Sequence, residues 1–136
     1  MSFGYDPGQR FDNKWEEQSM PYVDGFVVAV PEKKLAEYKK IARKAGKIWM
    51  EHGALSYVEC VGDDVPVGEV TSFTKAVNLK RGETVIFSWI TYKNRRDRDA
   101  VMKKVMSDPR LDQDMKKMPF DTKRMIFGGF KPVIEL

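Results

Sequence analysis

The sequence predicts one α+β domain whose elements follow the order β-α-β-β-α-β. Four stretches, residues 22–30, 54–61, 83–92 and 124–136, are rich in the β-branched and aromatic residues that strands prefer. Between them, two stretches repeat apolar residues three or four positions apart, which is the spacing of one helix face. The order predicts a ferredoxin-like, split βαβ domain. Its four-stranded antiparallel sheet would carry two helices on one face, with the first and third strands in the centre.

Residues with characteristic positions predict where the first helix begins and ends. Pro31 follows the first strand and suits the first turn of a helix, where its missing N–H leaves no bond unmade. An apolar stripe then runs from Leu35 to Trp49. Gly53 is expected to end this helix in the left-handed conformation.

The second helix and the segment after it carry similar signals. Asn94 is expected to cap the helix N-terminus, with Asp97 three residues on in an imperfect capping box. Asp108 and Pro109 would stop that helix and begin a short extra helix that runs to Lys117.

Two further stretches are predicted to be extended. The long connection 63–83 should contain short extended pieces at about 70–73 and 76–79. In the last strand, Gly128 and Gly129 predict either a bulge or a close approach of neighbouring groups.

Length and composition indicate a single domain of ordinary size. The chain has 136 residues, of which 42% are hydrophobic, enough for one core. No apolar run approaches the roughly 18 residues that span a bilayer, and no secretory signal is recognisable. The single cysteine cannot form an internal disulfide, which fits a reducing compartment. We therefore expect a cytoplasmic protein without a membrane partner.

Residues 1–19 differ from the rest in being polar, rich in turn-forming residues and without a sustained period. We expect them to form a flexible N-terminal extension. Residues 20–136 would then form the single folded domain.

The faces of the predicted central strands suggest a homodimer. On the first strand, Asp24 and Phe26 share one face and Val23 and Val27 the other, and the third strand likewise places apolar residues on both faces. An antiparallel sheet with one wet face normally alternates more cleanly. We therefore expect a second copy of the chain to cover the face without helices.

Several long stretches resemble the YbaA-like family of small bacterial proteins. They are MPYVDGFVVAV and its continuation to VPVG, then GETVIFSWITYKNRRDRDAVMKKVMSDPR and MPFDTKRMIFGGF. The resemblance runs from Met20 to the C-terminus, and family chains begin where Met20 stands. It implies a dimeric α/β barrel, in which two ferredoxin-like units join through their sheets. The wider superfamily contains cofactor-free monooxygenases and haem-degrading enzymes, which is an analogy of fold only.

Carboxylates within apolar strands are the candidate catalytic residues. Asp24 lies within YVDGFVV, and Glu59 lies within YVECV on the same face as Tyr57. If Asp24, Glu59 and Trp89 point to the face without helices, they would meet in a cavity of the dimer, with Trp89 and Tyr57 as ligand-binding walls. A buried carboxylate there could act as a general base. The structural alternative, which we favour, is that each acid pairs with a lysine or arginine across the interface.

Arg124, His52 and Cys60 complete the candidates. Arg124 could grip a ligand carboxylate through two parallel bonds, although pairing with an acid of its own chain or of the partner is the favoured interpretation. His52 is expected at the end of the first helix, where the helix dipole favours a cationic imidazole over a ligand-binding or metal-binding role. Cys60, on the opposite strand face from Glu59, is expected to be a small buried hydrophobe.

The sequence contains no recognisable cofactor or metal motif, so we expect neither. The net charge of +4 comes from lysines and arginines interleaved with acids and apolar residues. That pattern favours a solvated helix face over a nucleic-acid interface. The resulting hypothesis is a pocket for a small organic molecule. The alternatives are a non-enzymatic structural or ligand-sensing dimer, and weak RNA binding through the basic helix faces.

Overall fold

A computed structural model describes residues 20–136, and within that range the four predicted strands form one antiparallel sheet. The strand order is β2-β3-β1-β4, so the first and third strands are central as predicted. The strands are β1, Tyr22–Pro31; β2, Ser56–Val61; β3, Glu83–Tyr92; and β4, Ile126–Phe130. The fold is therefore α+β of the ferredoxin-like type. The predicted flexible extension, residues 1–19, lies outside the described residues.

The helices include both predicted long ones. They are α1, Leu35–Glu51; α2, Phe73–Ala76; α3, Arg95–Met106; and α4, Pro109–Met115, with single 3-10 turns at Glu32–Lys34 and Thr122–Arg124. None of the described helices is long and apolar enough to cross a membrane.

The end of α1 and the start of α3 are marked by the predicted residues, but the start of α1 lies further along the chain than predicted. Gly53 has a φ of 116°, the left-handed conformation that favours glycine after a helix. The Asn94 side chain accepts the Asp97 N–H at 2.7 Å, which caps α3. Pro31 does not open α1, because it pairs with Glu83 as the last residue of β1 and a 3-10 turn precedes the helix.

The strand register decides which side chains face the helices. Asp24 pairs with Ile90 and Glu59 pairs with Ser88, so these four side chains share one face. That face packs against α1 and α3, where Ile90 joins buried residues of both helices in one core cluster. Both long helices therefore cover the same side of the sheet, as predicted.

The opposite face of the sheet, which we call the outer face, is covered only in part by its own chain. Val77 and its neighbours in the connection 62–82 pack on Val27 and Val85 at one end of the sheet. The prediction of a wholly uncovered face was therefore wrong. Phe87, which lies opposite Val27 and packs against Phe73 of this connection, is 43% exposed, and Phe130 at the other end of the sheet is 62% exposed.

Two predictions about local structure were also wrong. The pieces predicted to be extended at 70–73 and 76–79 fall around α2 instead, because the Ser72 side chain caps this short helix by accepting the Lys75 N–H at 3.1 Å. The last strand ends at Phe130 instead of continuing to the C-terminus.

Neither glycine of β4 forms a bulge, and Gly129 serves close packing. Pairing of β4 with β1 is continuous, and Gly129 lies opposite Asp24. A Cβ atom on Gly129 would lie 2.4 Å from the Tyr22 hydroxyl, so only glycine fits there.

Candidate ligand-binding cavity

A cavity of about 330 Å³ lies between the helix-facing side of the sheet and the helices. It borders two separate core clusters, one containing Ile90 and Trp49 and the other containing Val28 and Tyr38. Phe127 and Met106 line the cavity and are 70% and 59% exposed, so it opens to solvent near the β4 edge. Its size is at the lower end of the range for small-molecule pockets.

The cavity wall consists mostly of aromatic and methionine side chains. Six aromatic residues line it: Phe26, Tyr38, Trp49, Tyr57, Phe120 and Phe127. Five of the chain's eight methionines also line it: Met102, Met106, Met115, Met118 and Met125. Methionine side chains are flexible and polarisable, so such a wall can adapt to the shape of a ligand.

Glu59 provides the carboxylate in this wall. Its Oε2 accepts a hydrogen bond from the Tyr57 hydroxyl at 2.6 Å, and its Oε1 accepts one from the Tyr38 hydroxyl. Burial raises the pKa of both tyrosines well above the ordinary value, and the nearby Glu59 raises it further. Both phenols therefore stay protonated at neutral pH and act as donors to the carboxylate.

Two elements, β2 and α1, hold this cluster of Glu59, Tyr57 and Tyr38 in place. Alternation along β2 directs Glu59 and Tyr57 to the same face, and Tyr38 reaches them from the first turn of α1. The Tyr57 ring lies directly on α1 at Gly46, where an added Cβ would be only 2.7 Å from the ring. The chain thus uses a glycine inside a helix to admit an aromatic ring.

The charge of Glu59 has no counter-ion in the cavity. No lysine, arginine or histidine is among the described residues that line it, and Glu59 makes no ion pair with a described residue. Glu59 also lines a groove at the β2 edge together with Lys39 and Arg43, and both of these basic residues are exposed.

Trp49 lines the cavity and carries a buried polar group. Its indole N–H is buried and makes no hydrogen bond of acceptable geometry with a described residue. This N–H acts on the nearby Tyr92 phenol. Burial raises the pKa of Tyr92, Asp24 raises it further, and the Trp49 N–H lowers it in part.

Asp24, predicted together with Glu59, shares its sheet face but is not among the residues that line the cavity. Arg98 of α3 donates from Nη1 to Asp24 Oδ1 at 2.8 Å, and its guanidinium lies 4.7 Å from the centre of the Tyr22 ring. Burial raises the pKa of Asp24, while a hydrogen bond from Tyr92 and the charge of Arg98 lower it in part. Asp24 therefore has its counter-ion within the chain.

Trp89 lies on the outer face as expected, but Asp24 and Glu59 face the helices, so the predicted meeting of these three residues does not occur. The register places Trp89 opposite Gly25 and Val58, one position away from the residues that face the helices. Its ring packs at 5.6 Å from that of Phe87.

The remaining candidates lie outside the cavity. Arg124 grips Glu83 through two bonds of 2.7 Å each, and this pairing within the chain is the favoured sequence interpretation. His52 lies at the end of α1, as predicted, and its Nε2 is 2.9 Å from Asp108. Cys60 is on the opposite strand face from Glu59 as predicted, which is the outer face, but it is exposed and not buried.

The structure thus brings Glu59 and Tyr57 to the cavity and leaves Asp24, Trp89, Arg124 and His52 elsewhere. Sequence reasoning missed Tyr38, Trp49 and the methionines of the wall. The available signal was the concentration of five methionines between residues 102 and 125. Nothing in the sequence distinguished these residues from an ordinary core.

A ferredoxin-like sheet with its helices on one face and a cavity beneath them defines the class of small α+β domains to which this chain belongs. More particularly, it belongs to the family described as "Protein of unknown function (DUF1428)", whose pattern matches residues 21–122. It is 52% identical over 116 residues to "Uncharacterized protein YbaA" of Escherichia coli K12, covering 85% of this chain and 99% of that protein. The YbaA-like resemblance is confirmed.

Solved structures of low sequence identity share the fold. A dimeric ferredoxin-like protein from an uncultured marine organism has a TM-score of 0.50 at 14% identity, covering 85% of this chain and 99% of its own. SnoaB, a cofactor-independent oxygenase from Streptomyces nogalater, has a TM-score of 0.51 at 12% identity, covering 86% and 95%. At these identities the likeness concerns the fold alone.

Proposed function

We propose that this protein binds a compact, largely apolar organic molecule in the cavity beneath its sheet. The observation that carries the proposal is the wall itself, which is aromatic and methionine-rich around the single cluster of Glu59, Tyr57 and Tyr38. Ligand pockets typically combine an apolar lining with a few polar groups that fix orientation. An ordinary core would fill a space of this size with side chains.

Binding can be tested with 2-naphthol, a compact aromatic molecule with one hydroxyl group, by isothermal titration calorimetry. We expect saturable binding to the wild-type chain. Ala45 is buried at the cavity wall, and Ala45→Leu would fill part of the space. We expect this variant to bind at least tenfold more weakly.

The matched control is Ala100→Leu, which makes the same change at an exposed position of α3. It should bind 2-naphthol like the wild type. The proposal fails if the wild type shows no saturable binding, or if Ala45→Leu binds as well as Ala100→Leu while remaining folded by circular dichroism.

We also propose that this protein forms a homodimer in which the outer faces of the two sheets are in contact. Phe130 lies over Gly25 and Gly128 on that face and is exposed, and Phe87 is exposed on the same face of β3. Exposed apolar area of this kind is typical of an interaction surface. A dimeric ferredoxin-like neighbour of the same fold supports the arrangement.

Two phenylalanines of β4 make a matched test of the dimer. Phe130 is on the outer face and Phe127 on the cavity face, and they are 62% and 70% exposed. We expect Phe130→Asp to give a monomer in light scattering and Phe127→Asp to remain a dimer. The dimer proposal fails if the wild type is monomeric at micromolar concentration or if both variants dimerise.

A catalytic role for Glu59 or Asp24 as a general base stays a prediction, and so does a cytoplasmic location. In the enzymatic version, Glu59 accepts a proton from the bound molecule, which its position in the wall would permit. In the non-enzymatic version, the same residue only orients the ligand. Turnover of a compound that Glu59→Gln abolishes even when the variant is saturated with that compound would distinguish the two.

A further inference from the structure

We propose that the ligand is an organic cation, an apolar molecule with a protonated amine that pairs with Glu59. The inference rests on the proposed function, because it specifies the class of molecule that the same cavity would take. It begins from the charge of the site: one carboxylate, two protonated phenols and no basic residue among the described residues of the lining.

A carboxylate next to an apolar cavity is stabilised by every positive charge that approaches it. Each carboxylate oxygen can accept about two hydrogen bonds. Tyr57 and Tyr38 supply one to each oxygen of Glu59, so each has room for a further donor. An ammonium group supplies donors together with a full charge, and attraction between opposite charges strengthens where water is excluded.

The aromatic wall favours the same class of ligand. The faces of tryptophan, tyrosine and phenylalanine rings attract cations, and a set of such rings with a carboxylate is a recurrent way to bind an organic ammonium ion. Tyr57 and Trp49 are neighbours in this wall, with ring centres 6.0 Å apart. Five methionines complete a lining that suits the apolar part of the molecule.

The cavity disfavours anions for the same reason. A ligand carboxylate would meet the charge of Glu59 without a basic residue on the cavity side. The basic residues Lys39 and Arg43 line the groove at the β2 edge, where an exposed charge is screened by water. The site is thus selective by charge as well as by shape.

Three probes with the same ring system test this inference by calorimetry at pH 7 and low salt. They are 2-naphthol, which is neutral, 2-naphthoate, an anion, and 2-(aminomethyl)naphthalene, a cation at that pH. We expect the wild type to bind the cation at least tenfold more tightly than 2-naphthol and to bind the anion most weakly. Glu59→Gln should weaken binding of the cation at least tenfold and abolish its advantage over 2-naphthol.

The control is Glu37→Gln, which removes one negative charge from an exposed position of α1 and should leave all three affinities unchanged. Binding of 2-naphthol without a preference for the cation would overturn this inference and leave the proposed function standing. A cation preference that Glu37→Gln reduces as much as Glu59→Gln would also overturn it. If no probe binds the wild type, both proposals fail.

Discussion

Asp24 and Glu59 both face the helices from the same side of the sheet, yet their surroundings differ. Asp24 meets the guanidinium of Arg98 at 2.8 Å and is 4% exposed. Within residues 20–136, the hydrogen-bond partners of Glu59 are the hydroxyl groups of Tyr38 and Tyr57, and it borders a cavity. The first arrangement joins β1 to α3. The second leaves a charge that a ligand can approach, so the absence of a counter-ion marks the functional candidate better than burial does.

The largest expected effect comes from removing the counter-ion of Asp24. Arg98→Met keeps the apolar stem but leaves a buried carboxylate unpaired, which should lower the free energy of unfolding by about 4 kcal/mol at pH 7. Urea denaturation measures this loss. The control Arg95→Met, at an exposed position of α3, should change stability by less than about 0.5 kcal/mol.

The same variant has a pH signature with a definite sign. The pKa of Asp24 in the folded chain is already above 3.8, and Arg98 lowers it in part, so Arg98→Met should raise it further. A carboxyl group with a raised pKa stabilises the fold when protonated and loses that contribution as the pH rises. The deficit of Arg98→Met should therefore shrink as the pH falls from 7 toward 4. A deficit independent of pH would contradict this account of Asp24.

Glu83 is a carboxylate whose pKa is lowered, whereas the pKa of Asp24 is raised. The two bonds from Arg124 hold the pKa of Glu83 at about 2, against an ordinary value of 4.5. Its contribution to stability is thus present above pH 4.5 and is lost as the pH falls toward 2, by up to about 3 kcal/mol. Thermal or urea unfolding between pH 5 and pH 2 should show this loss in the wild type.

Glu83→Gln should flatten that part of the pH profile, because the titrating group is gone. Glu69→Gln, which alters an exposed carboxylate, should keep the wild-type slope. Equal slopes in the two variants would show that other groups cause the acid sensitivity.

The tyrosine partners of Glu59 should have smaller effects. Tyr57→Phe removes one hydrogen bond to a charged acceptor and should lower the free energy of unfolding by about 1.5 kcal/mol. In a Glu59→Leu background, where the acceptor is absent, the same substitution should cost nothing. A double-mutant cycle in urea measures the coupling free energy between Tyr57 and Glu59. A value near zero would contradict a stabilising hydrogen bond between them.

Glu59→Gln should cause the smallest change in the free energy of unfolding. The amide oxygen can still accept one tyrosine bond, and no ion pair is broken, so we expect a change below about 1 kcal/mol. Asp24→Asn, which breaks the buried ion pair with Arg98, should cost about 3 kcal/mol. Equal losses would remove the distinction between the structural and the functional carboxylate.

The fold could be predicted because periodicity is a local property of the sequence. Alternation and the helical stripe identified all four strands and both long helices, and Asn94 and Gly53 marked their ends. The helix Phe73–Ala76 escaped prediction because one turn is too short to show a period.

The site could be predicted only in part, because it depends on register between strands. Alternation within each strand correctly separated Glu59 from Cys60 and Trp89 from Ile90. It could not say which face of β1 matches which face of β3, since shifting the register by one residue exchanges the faces. That uncertainty is why Trp89 was expected beside Asp24, whereas Ile90 occupies that place.

Gly46 has a consequence for attempts to engineer this protein. Glycine inside a helix costs about 1 kcal/mol relative to alanine, so thermostability design would select Gly46→Ala as an obvious improvement. Here the added methyl group would collide with the ring of Tyr57 and move a donor away from Glu59. A more heat-resistant helix would then come with a damaged site, which is a stability–function trade-off at a single residue.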